Sequence, residues 1–529
     1  MKSYFSLMVL GLFVPAAVAL YQLAPRRARP LVLLAASYAF FWSISGKLLA
    51  FLLFSTLSVW ATGLVLEELQ RRRAAEMRDP DVDRRVVKRR FARYMRAAVA
   101  ACVVANLGVL AALKYLAFFE AVAAPLLAPL GIEVPQGGLR LGVPIGISFY
   151  TLSAVSYVVD VYRKTSPADH NPVRLALFLA FFPQIMEGPI ARYNETACSL
   201  WSGRPVTAEN LFGGTARALW GLAKKLIVAD RVNVFVKTVF DGSASVDGGV
   251  VALAAVLYTI QLYCDFSGTM DFAVGVGRIF GTRLPENFRQ PFASRTASEF
   301  WQRWHVTLGA WFRDYVFYPV SLSKPIKRLT NGSRHLLGNR MGPLAASGVA
   351  LACVWFGNGL WHGAGGQYLL FGAYYFVLIW LGGLMAPLAE RLCPRLGIDH
   401  DGAAWHAWQR GRTLVVIFIG ELIFRASSAP EALGLLGTLA SGFSLASFAD
   451  GTAFSMGMDA ADFGVVACAV AVLAAVGRLR ERGAHPVRRA WELPVPARAA
   501  AMVALAFVIV IFGAYGGSYV PVDPMYAQF

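Results

Sequence analysis

Apolar runs long enough to enter a bilayer alternate along this chain with short basic or broken segments. A bilayer core about 30 Å thick takes about 20 helical residues per crossing. Met1–Leu23, Leu31–Ile44, Leu48–Leu66 and Ala97–Leu130 form the first group, the last long enough for a span plus an interfacial extension. Leu141–Val161 is interrupted at Pro144 and Gly146, and Leu175–Ile190 at Pro183 and Gly188-Pro189. Such breaks at membrane depth are tolerated only against protein or a water-filled cavity. Val250–Leu262 leads into Phe272–Phe280, and Pro343–Leu360, Tyr368–Met385, Thr413–Phe424, Phe463–Val476 and Ala499–Gly513 follow. Counting broken segments, the pattern predicts roughly 11–13 crossings or partial crossings.

Three stretches follow another pattern. Val206–Val239 interleaves apolar positions with Lys224, Lys225, Asp230 and Arg231, which predicts an amphipathic helix in the interface. From Glu299 onward, Phe300, Trp304, Leu308 and Trp311 fall on one helical face, and Glu299 and Arg303 stand at ion-pairing distance along it. His305 lies beside that aromatic face. Ser321–Arg340 and Glu390–Arg412 read as polar loops, and Glu421 stands one turn before Arg425 as its expected ion-pair partner.

Composition agrees with a polytopic membrane protein. Of 529 residues, 57% are hydrophobic and 16% charged, well outside the range of a soluble domain. The net charge of +18 comes from arginines placed between apolar runs, the distribution of cytoplasmic loops rather than of a nucleic-acid surface. The positive-inside rule sets the N-terminus outside and the Arg71–Arg96 loop in the cytoplasm. That loop is read as a solvated segment that fixes orientation and touches anionic lipid, with docking of an acidic partner as the other reading. Six scattered cysteines show no metal-ligand or disulfide spacing, so no metal site is expected. No repeat or soluble second domain is visible, and the expectation is one integral-membrane domain over 1–529 with its core at about 141–373.

Two of the seven histidines, His305 and His362, each follow a tryptophan, Trp304 and Trp361. His362 ends an apolar run, and an ionisable residue at membrane depth is a functional candidate. Its other reading is an interfacial residue of an aromatic belt. A neutral imidazole can take the proton of an attacking hydroxyl. His170, His335, His400, His406 and His485 sit in polar segments and read as surface residues. Glu187 reads as a capped or interfacial carboxylate. Asp265 and Asp271, six residues apart, fall on different helical faces and read as two separate polar anchors.

The motifs Arg303-Trp-His305, Trp311-Phe-Arg-Asp-Tyr315 and Leu360-Trp-His-Gly-Ala364 occur in one order with Pro144-Ile-Gly-Ile-Ser-Phe-Tyr150, Phe181-Phe-Pro-Gln-Ile-Met-Glu-Gly-Pro-Ile190, Tyr263-Cys-Asp-Phe-Ser-Gly268 and the terminal Tyr526-Ala-Gln-Phe529. Together they resemble the membrane-bound O-acyltransferase family, in particular its bacterial branch of alginate O-acetylation and teichoic-acid D-alanylation proteins. The resemblance implies an all-α ring of tilted helices around a thinned core with a central tunnel. It implies His362 and His305 as catalytic residues, with Trp304, Trp361, Asp265 and Asp314 as candidates to line the tunnel. It also implies a multi-pass protein of the bacterial inner membrane that binds no cofactor and uses an acyl thioester (acetyl-CoA or an acyl-carrier protein) as substrate. The acceptor would be a cell-surface polysaccharide, reached with an extracytoplasmic acyltransferase partner. The leading activity is transfer of a short acyl group, acetyl first. D-alanyl transfer towards teichoic acid is the second reading, and a proton-coupled transporter or flippase the reading from another class. Pro319-Val-Ser-Leu-Ser-Lys324 departs from the Pro-Leu-Gly-Gly-Asn of the alginate type, so this motif does not carry the acyl group or acceptor.

Overall fold

The computed structural model describes residues 4–130, 142–242, 246–395, 397, 399 and 401–515. The terminal Tyr526–Phe529 motif, Leu141 and His400 lie outside the described residues. The chain is 81% helix, with no strand among the described residues. It divides into two compact units interleaved in sequence. Among the described residues, the first holds those of 4–218 and 272–285, and the second those of 219–271 and 286–515.

Seven helical segments among the described residues are long and apolar enough to cross a membrane: Arg29–Glu76, Arg84–Leu116, Gly248–Ile279, Lys324–His362, Gly366–Arg395, Ala460–Glu481 and Val495–Phe512. The protein is therefore a multi-pass membrane protein. The larger number of crossings and partial crossings expected from the sequence included the broken runs, which form shorter helices. In the first unit, Ile147–Arg163 and Pro172–Ala180 are buried along most of their length. Pro144 and Gly146 do not bend a helix; they precede one. Gly146 has φ +70°, and a Cβ there would lie 1.7 Å from the Ile185 carbonyl oxygen, so only glycine fits this approach. The first unit's core is aromatic. The Tyr4 hydroxyl donates to the Phe182 carbonyl (2.8 Å) and accepts from the Met186 N–H (3.0 Å), while its ring stacks on Phe40. Two backbone groups left over by the break at Phe181–Met186 thereby gain partners inside the core.

The second unit departs from the sequence expectations in four places. The charged positions of the Val206–Val239 stretch that fall in it, Lys224, Lys225, Asp230 and Arg231, are buried rather than turned to an interface. A π-helical turn at Lys224–Ala229 inserts one residue into the helical register, and such insertions reorient neighbouring side chains. Lys224 Nζ pairs with Asp271 (2.7 Å) and Ser267 (3.1 Å), and Lys225 Nζ with Asp265 (2.7 Å) and Asp230 (3.0 Å). Burial opposes the Lys225 charge, but the two carboxylates prevail and hold its pKa above the ordinary value. Arg231 pairs with Asp462 and donates to the Phe512 carbonyl at 2.7 Å. Buried charges persist when paired, and here each has a named counter-charge.

The second departure is at Ser321–Arg340, where the polar loop is helical. Lys324–His362 runs as one helical stretch with a kink at Gly338 (φ 78°), and Pro325 in its first turn starts it. Likewise, most of the expected 390–412 loop belongs to the ends of the Gly366–Arg395 and Ala403–Arg425 helices. Third, Arg425 pairs with Asp241 (2.6 Å), not with Glu421, which is buried. Fourth, the helix from Glu299 does not continue through the aromatic face, and this break builds the site.

Candidate active site

The site grows from a short helix, Ala297–Arg303. Thr296 caps it by accepting the Glu299 N–H at 3.0 Å, and the expected Glu299–Arg303 pair closes at 2.7 Å. The helix then stops. Trp304 is extended (φ −107°, ψ 132°) and His305 is left-handed (φ 48°, ψ 48°) before Val306–Phe312 resumes as helix. For a residue with a Cβ, that conformation costs about 1–2 kcal/mol.

A small antiparallel bridge between Phe288 and Trp304 holds the break. The Arg289 N–H donates to the Arg303 carbonyl (2.9 Å) and the Val306 N–H to the Asn287 carbonyl (3.0 Å). Trp304 is buried among Phe288, Phe292, Phe300 and Tyr263, with ring centroids 5.0–6.2 Å apart. Phe300, Leu308 and Trp311 are buried as the sequence expects, but on two short helices rather than one.

The break turns His305 inward, 2% exposed. Its ring meets Phe266 edge-on at 4.7 Å and Trp361 at 5.7 Å. Its Nδ1 faces the Asn287 side chain, 3.2 Å from Nδ2 and 3.4 Å from Oδ1. Burial pushes the His305 pKa down to about 3, so the imidazole is neutral at physiological pH.

His362 is the last residue of the Lys324–His362 helix and is also buried. Phe424 meets its ring edge-on at 4.9 Å, Trp361 at 4.9 Å and Phe371 at 6.0 Å. The Lys324–His362 and Gly366–Arg395 helices pack closely because Gly359 faces the latter's start. A Cβ at Gly359 would stand 2.4 Å from the Tyr368 carbonyl oxygen. Tyr368 in turn stacks near His362.

Of the six residues singled out from sequence, three converge, His305, Trp361 and His362 in ring contact, while Trp304, next to His305 in the chain, packs on Tyr263, Phe288, Phe292 and Phe300. Asp265 is buried next to Phe266, with Lys225 as its ionic partner. Asp271 takes Lys224, so the two carboxylates have separate partners. Asp314 is half-buried and pairs with its neighbour Arg313 at 2.9 Å. His170, His335 and His485 are exposed, and His406 contacts Arg295 (2.9 Å) near the surface. Glu187, in the first unit, is buried.

Sequence reasoning gave no role to Asn287 or to the Lys224–Lys225 pair. Asn287 is placed by a bridge of single residues, which has no periodicity to read. The two lysines carried a signal that was available, adjacent cations amid apolar residues, but an interfacial face explains the same pattern.

Two imidazoles against one indole, walled by phenylalanine and tyrosine rings, form a water-poor setting in which one ring can accept a proton and another donate a hydrogen bond. Acyl transfer to a hydroxyl requires both capacities.

Residues 38–408 match the family described as MBOAT, membrane-bound O-acyltransferase family. The chain is 31% identical over 432 residues to the probable alginate O-acetylase AlgI of Pseudomonas putida, an overlap of 81% of this chain and 78% of that one. It is 28% identical over 267 residues to the peptidoglycan O-acetyltransferase of Helicobacter pylori, covering 46% of this chain and 47% of the relative. With the teichoic acid D-alanyltransferase of Bacillus subtilis it shares 32% identity over 241 residues, 44% of this chain and 58% of the relative. A helical, multi-pass chain matched over most of its length, with histidines buried in its Arg-Trp-His and Leu-Trp-His motifs, belongs to the membrane-bound O-acyltransferase family.

Proposed function

We propose that this acyltransferase moves an acetyl group from a cytoplasmic thioester, acetyl-CoA or an acyl-carrier protein, to a hydroxyl of an extracytoplasmic polysaccharide. An extracytoplasmic partner protein receives or relays the group. The observation that carries the reading is the pair of buried histidines on either neighbour contact of Trp361, in a chain similar to an alginate O-acetylase over four-fifths of its length.

In the proposed reaction the acceptor oxygen attacks the thioester carbonyl carbon. His362 takes the hydroxyl proton as the new C–O bond forms. The C–S bond then breaks, and the proton passes from His362 to the leaving sulfur, so a thiol and an ester are the products. His305 hydrogen-bonds the carbonyl oxygen as negative charge develops there. The apolar rings keep water from hydrolysing the thioester. In this reading the protein sits in the cell membrane with its N-terminus outside and residues 71–96, a solvated basic segment that fixes orientation, in the cytoplasm.

D-alanyl transfer is the second reading, favoured by the similarity to the teichoic acid D-alanyltransferase. Purified protein in sealed vesicles, offered radiolabelled acetyl-CoA, acetyl-loaded carrier protein or D-alanyl-loaded carrier protein, separates the two. The expected result is label transfer from an acetyl thioester only. Transfer from the D-alanyl donor alone would reverse the order of the readings.

A further inference from the structure

Asn287 is 1% exposed, and its side chain meets Thr307, Met270 and His305, contacts that together fix its orientation. The Thr307 backbone N–H donates to Asn287 Oδ1 at 2.9 Å. A backbone amide can only donate, so this contact identifies the oxygen end of the side chain. The Thr307 hydroxyl also donates to Oδ1 at 2.9 Å. Both lone pairs of that oxygen are then engaged. The amide nitrogen points the other way. Nδ2 lies 3.3 Å from the Met270 sulfur and 3.2 Å from His305 Nδ1.

The consequence falls on the histidine. Nδ2 carries two hydrogens and accepts nothing, so His305 Nδ1 must be the acceptor in this contact. The longer approach of Nδ1 to Oδ1, 3.4 Å, meets an oxygen already taken by two better donors. A neutral imidazole with an unprotonated Nδ1 carries its single proton on Nε2. The left-handed backbone of His305 and the Phe288–Trp304 bridge bring the two side chains together. The Val306 N–H bond to the Asn287 carbonyl ties the two segments at the same point.

We infer that Asn287 is a positioning residue that holds His305 in the Nε2–H tautomer, so that His305 enters acyl transfer as a hydrogen-bond donor and not as a base. The second clause rests on the acyl-transfer reading above; the tautomer does not. The assignment divides labour between the histidines, with the donor role at His305 and proton transfer left to His362. It also explains why the Arg303-Trp-His305 motif needs the distant Asn287 segment folded against it: without the amide, the imidazole chooses its tautomer by whatever surrounds it.

The test uses full-length protein in lipid bilayers, labelled with histidine carrying 15N at Nδ1 alone. The His305 signal is identified by its loss in His305→Gln. The expected wild-type signal is that of an unprotonated, pyridine-type nitrogen; a pyrrole-type signal overturns the tautomer. Asn287→Asp keeps an oxygen for the two Thr307 donors but replaces the amide donor with an acceptor, which draws a proton to Nδ1. Its spectrum should change to the protonated type. Its kcat should fall about 10²–10³-fold, the loss typical of one oxyanion donor, with the KM for the thioester within about two-fold of wild type. An Asn287→Asp protein with the changed spectrum and wild-type kcat overturns the donor role. Should Asn287→Asp not fold, the wild-type spectrum alone still decides the tautomer. Failure of wild-type protein to transfer from any thioester would overturn the proposed function and leave the spectrum to judge Asn287 by itself.

Discussion

Replacing Asp265 by alanine separates two roles for a buried carboxylate, one in holding the fold and one in lining a substrate path. Asp265 is 1% exposed and sits 2.7 Å from Lys225, whose ammonium also meets Asp230 at 3.0 Å. Removing one carboxylate from a buried ion pair costs about 3–5 kcal/mol when the remaining charge is left alone. Here Asp230 remains, so Asp265→Ala should cost the lower end of that range, about 3 kcal/mol. Lys225→Met leaves two carboxylates against each other and should cost about 5 kcal/mol. In the double variant Asp265→Ala removes one of the two carboxylates that Lys225→Met leaves facing each other. The two effects should therefore fall short of additivity by about 1–3 kcal/mol. Denaturant unfolding in mixed micelles gives the three values, and acyl transfer per folded molecule is measured alongside. The structural role predicts lower stability with specific activity of the surviving fold largely kept. An Asp265→Ala protein with wild-type stability and lost transfer would refute it and assign Asp265 to substrate.

Gly359→Leu should destabilise by about 1–3 kcal/mol or more, because even a Cβ would stand 2.4 Å from the Tyr368 carbonyl; thermal melting checks this, and an unchanged melt would contradict the close packing. His305 gives a pH signature. Its folded pKa of about 3 lies below the unfolded value near 6.5, so the stability this residue contributes is complete above pH 6.5 and declines as pH falls towards 3. The slope should reach about 1.4 kcal/mol per pH unit, and His305→Gln should remove that component from the pH–stability curve; an identical curve in the variant would refute it. Single cysteines placed within residues 71–96 and 478–489 should resist an impermeant thiol reagent applied to intact cells, and labelling of either segment would overturn the proposed orientation.

The apolar runs and the two Trp-His pairs were legible in the sequence because hydropathy and helical periodicity are local signals. The long spans from Arg29, Gly248 and Ala460 fall where hydropathy puts them. What was not legible depends on contacts between distant segments. Lys224 and Lys225 read as an interfacial face because their counter-charges, Asp271 and Asp265, lie more than 35 residues away. Arg425 chose Asp241 over Glu421, a partner one turn away, because Asp241 comes within 2.6 Å in the fold. The helical period across Phe300–Trp311 correctly marked buried positions but concealed the break at Trp304–His305. Pairing with the Asn287 segment outweighs helix propensity there.

The central claim, that His362 is the proton acceptor of acyl transfer, is tested most directly by the transfer rate of His362→Ala in sealed vesicles with a labelled acetyl thioester and polysaccharide acceptor. The substitution should leave insertion and expression intact and lower the rate by about 10²–10⁴-fold, the usual loss of a general base, with His362→Gln no better because an amide cannot accept the proton. A folded His362→Ala protein that transfers at a near-normal rate would contradict the account and return His362 to an aromatic-belt residue.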